Sequence, residues 1–135
     1  METIFENEFV HTYFDADTKM AKNVWKEQSQ ELNEKQFKDI LVHLQEVIFS
    51  YPATSLLLDV RSFRFVIDPE VQEWISEQLM TQYIKHGVNK IASVLPDSIF
   101  ERVSLQQTID ENTNKEALRH AHFDDEDQAI AWLLA

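Results

Sequence analysis

The amino-acid sequence predicts an α/β domain in which a mixed β-sheet is flanked by helices. Segments with strand-like and helix-like patterns alternate over the last two thirds of the 135 residues, and this alternation is typical of helices packed on a sheet. The N-terminal residues carry aromatic side chains separated by polar ones, a composition that suits a half-buried strand.

The N-terminal segment is predicted to begin the sheet. Residues 3–14 are expected to form a strand, and residues 15–18 form a turn because short Asp and Thr side chains bond to their own backbone. Residues 19–26 are ambiguous from the pattern alone. Met20, Ala21, Val24 and Trp25 have helical spacing, whereas a strand would place Ala21 and Trp25 on one face with Asn23.

The next two elements have clearer signals. Asn33 and Gln36 have the spacing of a capping box, and apolar residues follow at helical spacing until the chain approaches Pro52. Proline lacks the backbone donor that a continuing helix needs, so the helix must end before it. Residues 55–61 then predict a strand covered on both faces, because they include three consecutive leucines.

The remaining elements alternate between helix and strand. Asp68 and Pro69 mark the start of a helix that ends at residues 85–87, where Gly87 can adopt a positive φ. Strands are predicted at 90–95 and 118–123, and a capping box formed by Ser98 and Glu101 predicts a helix between them that reaches about Ile109. Four carboxylates at 124–127 favour the start of a final helix, because they face its positive pole.

The composition restricts the chemistry. The chain lacks Cys, which excludes disulfides, Cys-based metal sites and a thiol nucleophile, and its single Gly is too few for a phosphate-binding loop. The net charge of −12 disfavours nucleic acid and anionic membranes but suits a basic protein partner. The acidic N-terminus is unlike a secretory signal and the apolar runs are too short to span a bilayer, so we expect one cytoplasmic domain over residues 1–135.

The order of elements and the final segment resemble a known family. The sequence from Phe123 through the acidic run to Ala129, followed after two residues by Trp132 and Leu133, is similar to the end of the STAS domain. The similarity is greatest to the SpoIIAA-like branch, also described as STAS/SEC14-like, and it extends over essentially the whole chain. It implies an N-terminal β-hairpin whose second strand, residues 19–26, ends near Trp25.

The resemblance also carries functional expectations. Related anti-sigma factor antagonists have an Asp-Ser pair at the start of the helix after the central strand, and a partner kinase phosphorylates that Ser. The corresponding residues here are Asp68 and Pro69, so this phosphorylation switch is not implied for this chain. The SEC14-like relationship implies an apolar ligand between the helices and the sheet.

Two groups near the central strand are candidate ligand-binding or partner-binding residues. Asp59 and Arg61 lie where open α/β sheets usually bind ligands, and with Asp68 they could form a small polar site. The simpler interpretation is that Arg61 pairs with one of these carboxylates and fixes the following loop. Phe63 and Phe65 in that loop either form an exposed patch for a partner or, as we expect, pack into the core.

His120 and His122 form the one cluster with ligand-like spacing, because alternate residues of a strand share a face. Asp124 or Asp125 could add an oxygen ligand, but no third ligand is convincing, and we predict neither a metal site nor a cofactor. No Ser, His and Asp arrangement indicates catalytic residues.

These observations lead to a ranked set of functional hypotheses. A non-catalytic interaction or regulatory module that binds a protein partner comes first, and a carrier of a small apolar or lipid-like ligand is the alternative. A metal-dependent enzyme using His120 and His122 ranks last. Formation of a homodimer is compatible with each of them.

Overall fold

Six strands form one mixed sheet in the computed structural model, which describes residues 1–96 and 117–135. The strands lie side by side in chain order: β1 (Glu2–Glu6), β2 (Val10–Asp15), β3 (Met20–Trp25), β4 (Ser55–Asp59), β5 (Lys90–Val94) and β6 (Arg119–Phe123). β1, β2 and β3 pair antiparallel, whereas β3 to β6 are parallel. β4 lies between β3 and β5, a central position of the kind that its apolar sequence predicts.

Helices cover both faces of this sheet. A short 3₁₀ helix (Glu27–Glu31) precedes α1 (Glu34–Phe49). A second helical segment comprises α2 (Pro69–Trp74), a π-helical stretch (Ile75–Met80) and α3 (Thr81–Lys85), and the chain ends in α4 (Glu126–Leu134). We call the side of the sheet beneath α1 and the second helical segment the α1 face, and the opposite side the α4 face.

The alternation of side chains along each strand separates two apolar clusters. Leu56 and Ile91 belong to the α1 face, where they pack with residues of α1 and of the second helical segment. Leu57 and Ala92 point the other way and pack with Ala129 and others of α4. β4 and β5 therefore each contribute to two separate layers of core.

The predicted caps at Asn33 and Asp68 are confirmed, whereas the capping box predicted at Ser98 and Glu101 lies outside the described residues. The side chain of Asn33 accepts from the backbone N–H of Gln36, and the Gln36 side chain accepts from the N–H of Asn33, which completes the capping box. Asp68 accepts from the N–H of Val71 at 3.0 Å and caps α2. Gly87 has a φ of 89°, as expected for the residue that ends the second helical segment.

The prediction of a single strand over residues 3–14 is wrong. The side chain of Asn7 accepts from the backbone N–H groups of Phe9 and Val10, and this local turn divides the segment into β1 and β2. The N-terminal part is consequently a three-stranded antiparallel meander, in which β2 and β3 form the expected hairpin. The strand at 19–26, chosen through the family resemblance, is confirmed as β3.

Other boundaries differ slightly from the expectations. The strand predicted over 55–61 ends at Asp59, and the π-helical stretch was not anticipated from the sequence. The helix predicted over residues 98–109 lies outside the described residues. Among residues 1–96 and 117–135, no helix combines the length and the apolar character that a bilayer-spanning segment requires.

Candidate ligand-binding cavity

A cavity of about 100 Å³ lies between the α1 face of the sheet and the helices above it. Its floor is formed by neighbouring parallel strands, which contribute the apolar side chains of Trp25, Leu56, Leu58 and Ile91. These positions share one face because they alternate along β3, β4 and β5. The pairing register of the strands therefore determines which side chains form the floor.

The roof of the cavity comes from two helical segments. α1 contributes Phe37, Leu41 and Leu44, and the π-helical stretch contributes Leu79 and Met80 together with Ile75. A π-helical turn inserts an extra residue into the helix and is frequently found at functional sites. The side-chain amide of Gln45 donates to the backbone carbonyl of Leu79 at 2.9 Å, so a buried hydrogen bond fixes α1 against the π-helical stretch.

The loop between β4 and α2 closes one side of the cavity through Val60, Phe63 and Ile67. Phe63 is buried, with its ring centroid 5.2 Å from that of Trp25 and 5.7 Å from that of Phe37. Phe65 is half-buried and stacks on Phe37 at 4.4 Å. Both aromatic side chains therefore pack into the core, which is the arrangement expected from the sequence.

Three polar side chains, Asn23, Ser93 and His120, interrupt the apolar floor. The Asn23 side chain accepts from the hydroxyl of Thr12 at 2.8 Å. On the other side of Leu58, the Ser93 hydroxyl lies 3.3 Å from Nε2 of His120. We call Ser93 and His120 the polar pole of the cavity.

The imidazole of His120 is in an unusual environment. Its Nδ1 is shut off from solvent and has no hydrogen-bond partner among the described residues. Burial, and to a smaller extent the proximity of His122, lowers the pKa of His120 to about 4. The ring is therefore neutral at pH 7, with one nitrogen next to Ser93 and the other unsatisfied.

The predicted polar site at the end of β4 forms an ion pair instead of a shared site. Nε and one terminal nitrogen of Arg61 donate to the two carboxylate oxygens of Asp59 at 3.0 and 2.7 Å. Burial of Asp59 opposes its ionisation, but the bonds from Arg61 outweigh burial and hold the pKa of the carboxyl below its usual value. Asp68 acts separately as the cap of α2. The structure thus matches the simpler interpretation, in which Arg61 pairs with a nearby carboxylate.

The histidines of β6 share a strand face, as predicted, but lie in different surroundings. His120 is half-buried and His122 is exposed. Within residues 1–96 and 117–135, no group of three or more His, Cys, Asp or Glu side chains is arranged to hold a metal ion. The described geometry therefore gives the metal hypothesis no support.

The sequence interpretation missed two of the three polar residues of the floor. Asn23 and Ser93 fall within the strands predicted over residues 19–26 and 90–95, and the spacing of His120 suggested only a metal ligand. A usable signal was nevertheless present, because Asn23 lies between Ala21 and Trp25 and Ser93 lies between Ile91 and Leu95 on strand faces that are otherwise apolar. Polar residues at such positions are buried, and a buried polar group needs a partner.

Comparison with known proteins places the chain in a family. No curated protein and no solved structure matches it significantly. A family model described as SpoIIAA-like matches residues 24–134, most of the chain, and the match includes β4, β5, β6, α1 and α4. The mixed sheet with its N-terminal hairpin is consistent with that fold. On this match and this architecture, the chain belongs to the SpoIIAA-like family of STAS domains.

Proposed function

We propose that this protein is a non-catalytic, cytoplasmic STAS-type module, formed as one domain by residues 1–135, that binds a small apolar ligand in the cavity on its α1 face. The observation that carries the proposal is the cavity itself. Protein interiors are usually packed without voids larger than a water molecule, whereas this cavity measures about 100 Å³. An apolar cavity with a few polar groups is the usual form of a small-molecule site.

The walls of the cavity support binding more strongly than catalysis. The described lining residues include no Asp, Glu, Lys or Arg, so they supply no charged group that could act as an acid or as a base. His120 is the imidazole in this lining, and its low pKa makes it a poor proton acceptor at pH 7. Of the five residues predicted as a binding site, Phe63 contributes to this lining.

Comparison of native and denatured masses tests whether the purified protein retains a small molecule. The wild-type protein is expected to show a mass difference that disappears on denaturation. Leu41→Trp should remove it, because the larger ring occupies space that Leu41 borders.

Val42→Trp is the matched control, since Val42 is the neighbouring residue on α1 and is 40% exposed. Equal retention by both variants would contradict binding in the cavity. A wild-type protein that neither retains a mass nor binds xenon, a small apolar probe, would contradict the proposed function itself.

A second candidate function is favoured by the charge of the surface. Glu70, Glu73 and Glu77 are exposed along the second helical segment, and the whole chain carries a net charge of −12. An acidic surface attracts basic partners over about 8 Å at physiological salt. We therefore propose recognition of a basic protein, the leading hypothesis from the sequence, as the alternative to ligand binding.

Charge reversal separates this alternative from ligand binding. The triple variant Glu70→Lys, Glu73→Lys and Glu77→Lys should lose partners that the wild-type protein captures from native lysate at low salt. Glu27→Lys with Glu31→Lys is the control, because both residues are exposed on the 3₁₀ helix. A capture pattern unaffected by the triple variant, or by added salt, would count against an electrostatic interaction through this helix. Sedimentation of the same samples would reveal a homodimer.

A further inference from the structure

The polar pole of the cavity has a defined hydrogen-bonding capacity. A neutral imidazole has one N–H donor and one acceptor nitrogen. If Nε2 of His120 donates to Ser93, Nδ1 is an acceptor, and if the Ser93 hydroxyl donates to Nε2, Nδ1 carries the proton. The pair can therefore offer a ligand either an acceptor or a donor by rotation of one hydroxyl and a change of tautomer.

The same pole is poorly suited to an ionised ligand. The described cavity lining has no side chain with a full opposite charge, and a charge transferred from water into such surroundings is strongly destabilised. Asn23 and Ser93 supply dipoles, which do not replace a counter-ion. The buried, unpartnered Nδ1 of His120 nevertheless indicates that one hydrogen bond is missing from this pole.

We propose that the cavity selects a small uncharged amphiphile, with an apolar body beneath the helices and a single hydrogen-bonding head group at Ser93 and His120. This inference rests on the proposed function, since it assigns a chemical class to the same ligand. It predicts that carboxylate and ammonium compounds with the same apolar body are rejected.

The size of the cavity sets the length of the probe. An apolar cavity of about 150 Å³ binds benzene, which has six carbons, so about 100 Å³ corresponds to roughly four or five heavy atoms. Butan-1-ol meets this limit and has one neutral head group. Butanoate and butylammonium are its anionic and cationic counterparts, and xenon is an apolar probe without a head group.

The experiment is an NMR titration of the amide signals of the protein with these four probes at pH 7. Butan-1-ol is expected to shift the signals of β5 and β6 near the polar pole and to bind at least about tenfold more tightly than butanoate or butylammonium. Xenon is expected to bind in the same cavity. Ser93→Ala should weaken binding of butan-1-ol by about fivefold while changing xenon binding by less than about twofold.

Two further variants make the result specific to the head group. His120→Leu should weaken binding of butan-1-ol by about fivefold, because it removes one of the two groups of the polar pole, and should retain xenon binding. Ser55→Ala is the matched control, because Ser55 is also a buried strand serine but lies on the α4 face, two residues before Leu57. It should leave the affinity for every probe unchanged.

The outcomes distinguish this inference from the proposed function. Xenon binding combined with equal or tighter binding of butanoate or butylammonium would overturn the selection of uncharged head groups and leave the cavity as a ligand site. Xenon binding without a loss of butan-1-ol affinity in Ser93→Ala would show that the polar pole does not hold the head group. Absence of binding for all four probes would overturn both proposals.

Discussion

The two faces of the sheet are packed in different ways. On the α4 face, the small side chains of Ala92 and Ala129 are fully buried and let the helix lie close to the strands. α4 is also fixed electrostatically, because Lys22 pairs with Glu126 at 2.6 Å and Lys90 donates to backbone carbonyls at the end of the helix. On the α1 face, large aromatic side chains lie between the layers, and the cavity lies beside them.

The difference shows how one sheet can separate stability from binding. Small residues allow the two layers of the α4 face to approach, whereas the rings of Trp25, Phe37 and Phe63 fill the α1 face incompletely. Side chains that line the cavity have fewer packing partners than those of the α4 face, which lowers the stability contributed by the α1 face. A bound ligand would restore part of that stability, because it binds the folded state.

The largest effect is expected when each of two neighbouring leucines of β4, one on each face of the sheet, is replaced by alanine. Leu57 is fully buried on the α4 face, and Leu56 borders the cavity. Leu57→Ala should lower the free energy of unfolding by about 4 kcal/mol. The loss for Leu56→Ala should be smaller, about 3 kcal/mol, because a side chain beside a void has fewer contacts to lose. Urea denaturation measures both. An equal or larger loss for Leu56→Ala would contradict the difference in packing.

The second-largest expected effect is a pH dependence of stability that arises from His120 on the α1 face. The pKa of His120 is about 4 in the folded protein and about 6.5 in an unfolded chain. Between these two pKa values the unfolded state binds a proton that the folded state does not. Stability should therefore fall as the pH is lowered from 6.5 to 4. Below pH 4, His120 is protonated in both states and should cause no further change. The loss should amount to at most about 3 kcal/mol.

Denaturation at a series of pH values tests this prediction. His120→Phe should flatten the dependence in that window, whereas His43→Phe, at an exposed position on α1, should retain it. The Asp59 carboxyl has a lowered pKa, so the stability that it contributes is present above its unfolded pKa of about 3.9 and is lost only at more acidic pH. A slope between 6.5 and 4 that persists in His120→Phe would rule out His120 as its source.

The sequence predicted local structure better than the cavity because its strongest signals are local. The capping box of Asn33 and the cap by Asp68 depend on residues three positions apart, and both are present. The turn at Asn7 is also local but was missed, since aromatic residues continue on both sides of it and suggested one strand. The polar pole depends on Ser93 and His120, which are 27 residues apart and meet only after β5 pairs with β6.

A smaller effect is expected when bulk is added to each face. Ala92→Val should reduce stability by about 2 kcal/mol, because Ala92 is fully buried against α4 and no space is available for two more carbons. Leu58→Phe adds bulk toward the cavity and should change stability by less than about 0.5 kcal/mol. Thermal unfolding of the two variants compares the faces directly. A comparable loss for Leu58→Phe would mean that the cavity cannot accept additional atoms.

The smallest effect concerns the caps of the helices on the two faces. Asp68 caps α2 above the cavity, and Asp125 caps α4 by accepting from the backbone N–H groups of Asp127 and Gln128. Replacement of either residue by Ala should lower stability by about 1 kcal/mol, and Asn should retain most of the cap.

The two Ala variants should differ in hydrogen exchange. Asp68→Ala should accelerate exchange in α2 and the rate at which xenon enters the cavity, whereas Asp125→Ala should loosen α4 without changing xenon entry. Faster entry in Asp125→Ala would show that the two faces open together, and the separation between a stabilising face and a binding face would then fail.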